Sequence, residues 1–144
     1  MITVDATATL NPGPLKALIA ILRAPPVADV GLFTPELATI GAYNEFGTAT
    51  APARSFLVST ANMYRRVYKD GLTSAVTVAI RTGKAAAATK GVATVAQLYH
   101  RDIVRRINAG IRPANAPSTL ARKQGTTPLI DTGAMVKAIA WRMR

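Results

Sequence analysis

Two helical stripes run one after the other through the middle of this chain and constrain everything around them. From Ser55 to Ile80, Leu57, Ala61, Tyr64, Tyr68, Leu72, Ala75 and Ala79 recur every three or four residues. From Ala85 to Ala109, Val92, Ala96, Tyr99, Ile103 and Ile107 repeat the pattern. Such spacing lines apolar side chains along one face of a helix. Thr82-Gly83 separates the two runs, and Gly110 ends the second. Gly71 interrupts the first run at a cost of about 1 kcal/mol relative to Ala, which marks it as the site for a bend. Gly91 weakens the opening turns of the second, so its secure part is Val92 to Asn108. The three tyrosines fall on the apolar stripes, which assigns them to packing.

The flanking segments are shorter. Met1 to Val4 reads as a short strand. Asn11-Pro12-Gly13-Pro14 is a turn, and Pro14 suits the first turn of a helix in which Leu15, Leu18, Ile19 and Leu22 share a face. Ala24-Pro25-Pro26 stops that helix. Val27 to Phe33 reads as a strand with Ala28, Val30 and Leu32 on one side. Thr34 is an N-cap candidate with Pro35 behind it, opening a second short helix whose stripe is Leu37, Ile40, Ala42 and Tyr43. Gly47 ends it, because a residue without Cβ enters the left-handed region without a steric penalty. Past the long helices, Ile111 to Pro117 is an extended loop and Ser118 to Lys123 a single helical turn. Asp131 is an N-cap candidate for a turn or short helix through Met135. Ala138 to Arg144 alternates Ile139, Trp141 and Met143 with Ala140, Arg142 and Arg144, a half-buried strand. The expected fold class is α+β: a small, mostly antiparallel sheet packed against two long helices, with short helices in the connections.

At 144 residues, about half of them apolar, the chain is expected to form one domain spanning 1–144. It has no cysteine, which excludes disulfides and thiolate metal sites. Asp5 near the N-terminus, with no basic region before an apolar run, reads against a signal peptide. Leu15 to Leu22 is too short to span a bilayer, so no membrane partner is expected. The net charge of +11 is unevenly placed. Residues 1–60 hold three basic against four acidic residues, a net −1; residues 61–144 hold fifteen against three, a net +12. Such a field attracts polyanions or acidic protein surfaces.

Catalytic constellations are missing from the pattern. His100 is the single histidine, set between Tyr99 and Arg101, and reads as a surface or interface residue. The seven acidic residues stand singly rather than as a glycosidase-type pair. Gly83-Lys84 resembles the end of a phosphate-binding loop, but Val78 and Ala85 replace its first glycine and its hydroxyl residue. The expectation is a non-enzyme with no cofactor, no metal and no small-molecule substrate. Basic residues fall in groups: Arg65, Arg66 and Lys69 in the first long helix, Arg101, Arg105 and Arg106 in the second, then Arg112, Arg122 and Lys123. These suit contacts to phosphates or to an acidic partner, without a base-reading motif beside them.

Two short motifs carry a resemblance. Asn44-Glu45-Phe46-Gly47-Thr48 follows the strand and short helix, and Pro52-Ala53-Arg54-Ser55-Phe56-Leu57 leads into the long helices. Asp102-Ile103 through Gly110, the loop of Pro113 and Asn115 to Thr119, and Pro128-Leu129-Ile130-Asp131-Thr132-Gly133 continue the order. From Val27 onward this resembles the neck and tail-completion proteins of tailed bacteriophages, a group that includes proteins similar to the lambdoid head-tail joining protein. Ser55 departs from it where a second proline is usual, which is expected to loosen the turn; Gln124 departs where a Lys-Gly pair is usual. The resemblance implies a virion protein, built in the host cytoplasm, that forms a ring (a hexamer, or else a dodecamer). Its implied neighbours are the head connector or stopper and the tail tube or terminator, with double-stranded DNA in the lumen. A tail-tube terminator or minor tail protein is the near alternative, and a sequence-nonspecific nucleic-acid-binding protein the alternative of another class. Within the motifs, Glu45 and Arg54 are expected to pair across the loop, and Phe46 and Phe56 to pin it to the core. Asn44, Glu45, Phe46, Gly47, Arg54, Phe56, Asp131, Thr132 and Gly133 stand either as fold determinants or as interface residues.

Overall fold

The structure, a computed structural model, describes residues 11–123 and 125–144. The expected strand Met1 to Val4, Asp5 and the departure at Gln124 lie outside the described residues. The element order is α1 (Gly13–Arg23), β1 (Ala28–Leu32), α2 (Pro35–Phe46), α3 (Val58–Met63), α4 (Arg65–Thr82), α5 (Ala86–Asn108), α6 (Pro117–Leu120), α7 (Ala134–Ala138) and β2 (Ile139–Met143). The class is α+β, with a two-stranded antiparallel sheet.

The long helices α4 and α5 form an antiparallel hairpin. Tyr68 meets Tyr99 with ring centroids 5.4 Å apart, and further along Ala75 meets Gly91. A Cβ at Gly91 would stand 2.1 Å from the Cβ of Ala75, so the two backbones approach as closely as they do because position 91 is bare. The propensity penalty that seemed to weaken the start of this helix is offset by packing, and α5 runs helical from Ala86. The first stripe is divided differently from expectation. Its helix begins at Val58, and the break falls at Tyr64 (φ −106°, ψ 15°), while α4 continues through Gly71 without interruption. Tyr64 still receives and gives backbone bonds across the break, from its N–H to Thr60 O and from Tyr68 N–H to its carbonyl. A local kink therefore separates α3 from α4 without separating their courses.

The strands pair in the register Ala28↔Met143, Val30↔Trp141, Leu32↔Ile139. The alternation in the C-terminal segment turns Ile139 inward and leaves Ala140 and Arg142 exposed, as its period of two requires. Arg142 and Arg144 both reach Asp29 at 3.6 Å, and the Arg142 guanidinium sits 4.2 Å from the Phe33 ring centroid. The sheet packs on α5. The main core is Phe56, Ile103, Ile107, Ile111, Met135 and Ile139, with Val30, Leu32 and Tyr99 against it. A small second cluster, Ile21, Ala79 and Ala88, holds α1 to the closed end of the hairpin.

The faces of the two short helices differ from those expected. In α1 the buried residues are Ala17 and Ile21, and Leu15, Ile19 and Leu22 point outward. In α2 they are Gly41 and Glu45, and Ile40 and Tyr43 point outward. Helix α2 meets its support through Gly41, whose bare Cα permits close approach to Leu32, and α1 through Ala17 and Ile21. Leu15, Ile19, Leu22, Ile40 and Tyr43 are turned away. His100 is also not a free surface group: its Nε2–H donates to the carbonyl of Ile139 at 2.9 Å, tying α5 to the start of β2.

Candidate functional site

Glu45 comes from the last turn of α2, and its carboxylate is buried. It accepts hydrogen bonds from Ser55 Oγ at 2.6 Å and from three consecutive backbone N–H groups, Phe56 (2.8 Å), Leu57 (2.9 Å) and Val58 (3.0 Å). These donors lie where the chain enters α3, and the first N–H groups of any helix have no partner within it. Glu45 therefore caps α3 from another helix. Burial pushes the carboxyl pKa up, but the bonds from Ser55, Leu57, Phe56 and Val58 together outweigh it and hold the group below its ordinary 4.5. Tyr99 closes the arrangement from α5, donating its hydroxyl to Leu57 O at 2.9 Å. Burial and then the Glu45 charge push the Tyr99 hydroxyl pKa up. Ser55 adds a second cap, since its Oγ also accepts the Ser59 N–H at 3.1 Å. Ser55, which stands where the resemblance expects proline, thus gives the turn one donor and one acceptor.

Arg54 does not pair with Glu45. Its Nε donates to Pro113 O at 2.8 Å and its Nη2 to Ala114 O at 2.9 Å, pinning the loop after α5 to the loop before α3. A guanidinium offers fixed parallel donors, and two successive carbonyls suit that geometry as a carboxylate would. Phe56 is fully buried in the main core, whereas Phe46 is three-quarters exposed at 75% and pins nothing. Gly47 has φ 77° and ψ 179°, a positive-φ extended conformation that essentially only glycine occupies. A Cβ there would meet Ala53 N at 2.8 Å and Ala51 O at 2.9 Å. The loop it opens is held by Thr48 Oγ1, which accepts from Ala51 N–H at 3.0 Å, and by Arg54 N–H donating to Asn44 O at 2.6 Å.

The second motif comes to the other side of α2. Asn44, Asp131, Thr132 and Gly133 line one pocket of about 400 Å³ with Ile40 and Lys123. Asn44 Nδ2 donates to Ile40 O at 2.8 Å and lies 4.0 Å from Met135 Sδ. Asp131 is not the N-cap of α7; Gly133 holds that position, and Thr132 Oγ1 accepts the Ala134 N–H at 3.3 Å. Asp131 is exposed. Lys123 Nζ donates to Thr127 O at 2.9 Å, so its ammonium is occupied within its own loop. The pocket thus brings together one carboxylate, one committed ammonium and an amide over an apolar floor, which suits contact with a polypeptide surface.

The basic residues divide in the same way between committed and uncommitted. Arg65, Arg66 and Lys69 open α4, and Arg101, Arg105 and Arg106 lie in the last two turns of α5, so the antiparallel hairpin brings both groups to its open end. Arg66 faces Asp70 at 3.8 Å, both well exposed, and Arg101 faces the buried Asp102 at 3.9 Å. Arg106 is only half-exposed, and its Nη1 is buried without a hydrogen-bond partner among the described residues. Arg65, Lys69, Arg105, Arg112 and Arg122 are exposed. Beneath them, Asp102 accepts the Tyr68 hydroxyl at 2.9 Å, and burial followed by that bond drives the Tyr68 pKa well above its usual value.

Sequence reasoning missed Ser55, Tyr68, Tyr99 and Asp102 as polar determinants. The signal was weak in each case: two tyrosines sat on apolar stripes, and nothing in the sequence shows that their hydroxyls meet Leu57 O and Asp102. Among the described residues, no helix is long and apolar enough to cross a membrane, and no three His, Cys, Asp or Glu side chains group as metal ligands. The chain matches no protein-family model, no curated protein and no solved structure.

Proposed function

We propose that this chain is a structural subunit of the head-tail interface of a tailed bacteriophage, a neck or tail-completion protein that assembles as a ring around passing double-stranded DNA. One observation carries the proposal: Glu45, Arg54, Ser55 and Thr132 of the two motifs hold backbone or one another, whereas Arg65, Lys69, Arg101 and Arg105 stand exposed at the open end of the α4–α5 hairpin, with Arg81, Lys84 and Lys90 exposed at its closed end. Such a subunit works through its surfaces, and a ring component needs surfaces for neighbours and for a polyanion. The order of motifs supports the phage assignment. A tail-tube terminator or minor tail protein would use the same features at another position in the particle.

The test is the particle. Mass spectrometry of purified virions should find the chain, and a reconstruction should place it in a ring between portal-side connector and tail. Absence from virions, together with a monomer at high concentration, sinks the proposal. The exposed basic end also favours a second reading, a sequence-nonspecific nucleic-acid-binding protein. That reading requires the logarithm of the DNA association constant to fall with the logarithm of salt concentration by about 0.9 per phosphate contacted, and a flat response removes it.

A further inference from the structure

Two helices of this chain keep large apolar side chains turned to solvent at helical spacing. On α1, Leu15, Ile19 and Leu22 are 39–72% exposed; on α2, Ile40, Tyr43 and Phe46 are 47–75% exposed. Scattered apolar residues on a surface are ordinary, but two stripes of three on neighbouring turns are contact surfaces. We propose that copies of this chain associate head to tail, the outer stripe of α1 in one copy seating antiparallel on the outer stripe of α2 in the next. This rests on the ring proposed above and names the faces that build it.

Length and charge select the partner and its direction. Seven residues separate Leu15 from Leu22 and six separate Ile40 from Phe46, rises of about 10.5 and 9 Å, so the stripes match within a fraction of a turn. Helix α1 carries Lys16 and Arg23 and no acid; α2 carries Glu36 and Glu45 and no base. Glu45 is consumed in capping α3, which leaves Glu36 outward. Among the described residues neither Arg23 nor Glu36 has an ion-pair partner. In the antiparallel register Leu22 meets Ile40, Ile19 meets Tyr43 and Leu15 meets Phe46, and Glu36 then lies three residues, about 4.5 Å along the axis, from the position opposite Arg23, within reach of the two side chains. A parallel register places Glu36 opposite Asn11, away from either cation. The antiparallel choice also sets the negative end of one helix dipole against the positive end of the other. A stable contact buries about 800 Å² per partner. The α2 side extends toward that size through a groove of about 330 Å³ in which Phe46 is joined by Phe33 and Val58. A copy that offers its α1 stripe to one neighbour and its α2 stripe to another makes a heterologous contact, which closes as a ring where the rotation from copy to copy divides a full turn.

The absence of cysteine makes the proposal directly testable in the full chain. Single variants Ile19→Cys and Tyr43→Cys alter outward side chains, and melting curves verify that they fold. Mixed and treated with a short bismaleimide, they should cross-link to each other, while either alone should stay uncross-linked. A chain carrying both changes should give a ladder that ends at the ring number. Arg23→Glu or Glu36→Arg alone should weaken self-association about tenfold, and the two in one chain should restore it. If the native chain assembles but the mixed cysteine variants cross-link no more than either alone, or the double reversal does not recover, these faces are the wrong ones and the ring itself stands. A native chain that stays monomeric at high concentration overturns the contact, and its presence or absence in virions then judges the ring reading separately.

Discussion

The α2–α3 junction and the open end of the α4–α5 hairpin both collect charged side chains, but they use them in opposite ways. At the junction, Glu45 accepts four hydrogen bonds and Arg54 donates to two carbonyls, so each charge satisfies backbone that would otherwise be stranded. At the hairpin end, Arg65, Lys69 and Arg105 are exposed and make no hydrogen bond or ion pair among the described residues. A buried charge must be compensated or it costs several kcal/mol, whereas a solvated one costs almost nothing and stays available. Stability should therefore depend on the first region, and binding on the second.

The largest effect expected is at Gly47. Gly47→Val places a branched side chain at φ 77° against the backbone of Ala51 and Ala53, and should cost about 3 kcal/mol or more, seen as a collapse of the melting midpoint. A Gly47→Val chain that melts like the native one but fails to assemble would reverse the contrast, making this loop an interface. Next, Glu45→Gln should cost about 2 kcal/mol in denaturant unfolding, since it loses a charged acceptor shared by four donors. The pH dependence follows from the lowered pKa of Glu45. The stabilisation is complete above the ordinary 4.5 and is lost as pH falls through the lower folded-state value. The gap between native and Glu45→Gln chains should thus narrow in acid and stay constant from neutral pH down to about 5; a gap unchanged at pH 3 would contradict the capping role.

Smaller effects sharpen the comparison from the hairpin side. Tyr68→Phe should cost about 1 kcal/mol, because Asp102 loses its buried donor while Arg101 remains nearby. The triple change Arg65→Ala, Lys69→Ala and Arg105→Ala should leave unfolding within about 0.5 kcal/mol per site. The same variant should show a shallower salt dependence of DNA binding, and an unchanged salt slope would show that this end is not the polyanion surface. Asp131→Ala should be the mildest, within about 0.5 kcal/mol, because Thr132 and not Asp131 receives the Ala134 N–H. A large loss at Asp131 would extend the stabilising region to the second motif's carboxylate.

Much of the architecture was legible along the chain, for a physical reason. Periods of 3.6 and 2 are local, and so α1, α2, α5, β1 and β2 fall close to where the spacing of apolar residues puts them. The break at Tyr64 was not legible: its residue type is ordinary in helices, and no turn residue marks the position. Gly91 gave a misleading signal, since propensity counts its missing side chain as a cost, while the crossing with Ala75 needs that absence. Glu45 was identified as important but assigned the wrong partner. Opposite charges suggest an ion pair, yet three consecutive N–H groups at the entry to α3 formed the better-matched site, and Arg54 found carbonyls instead.

By itself, then, the sequence determined the kind of element at most positions, the two amphipathic stripes, the turn glycine at 47 and the concentration of positive charge after residue 60. These depend on neighbours a few positions away and on composition. Tertiary structure alone decided which side of α1 and α2 is covered, which donors Glu45 and Asp102 receive, and that Arg65 and Arg105 share one end of a hairpin. Those outcomes depend on backbone segments ten to forty residues apart meeting at distances near 3 Å. A spacing rule cannot anticipate them, because burial goes to whichever face, large or small, lets two elements approach most closely.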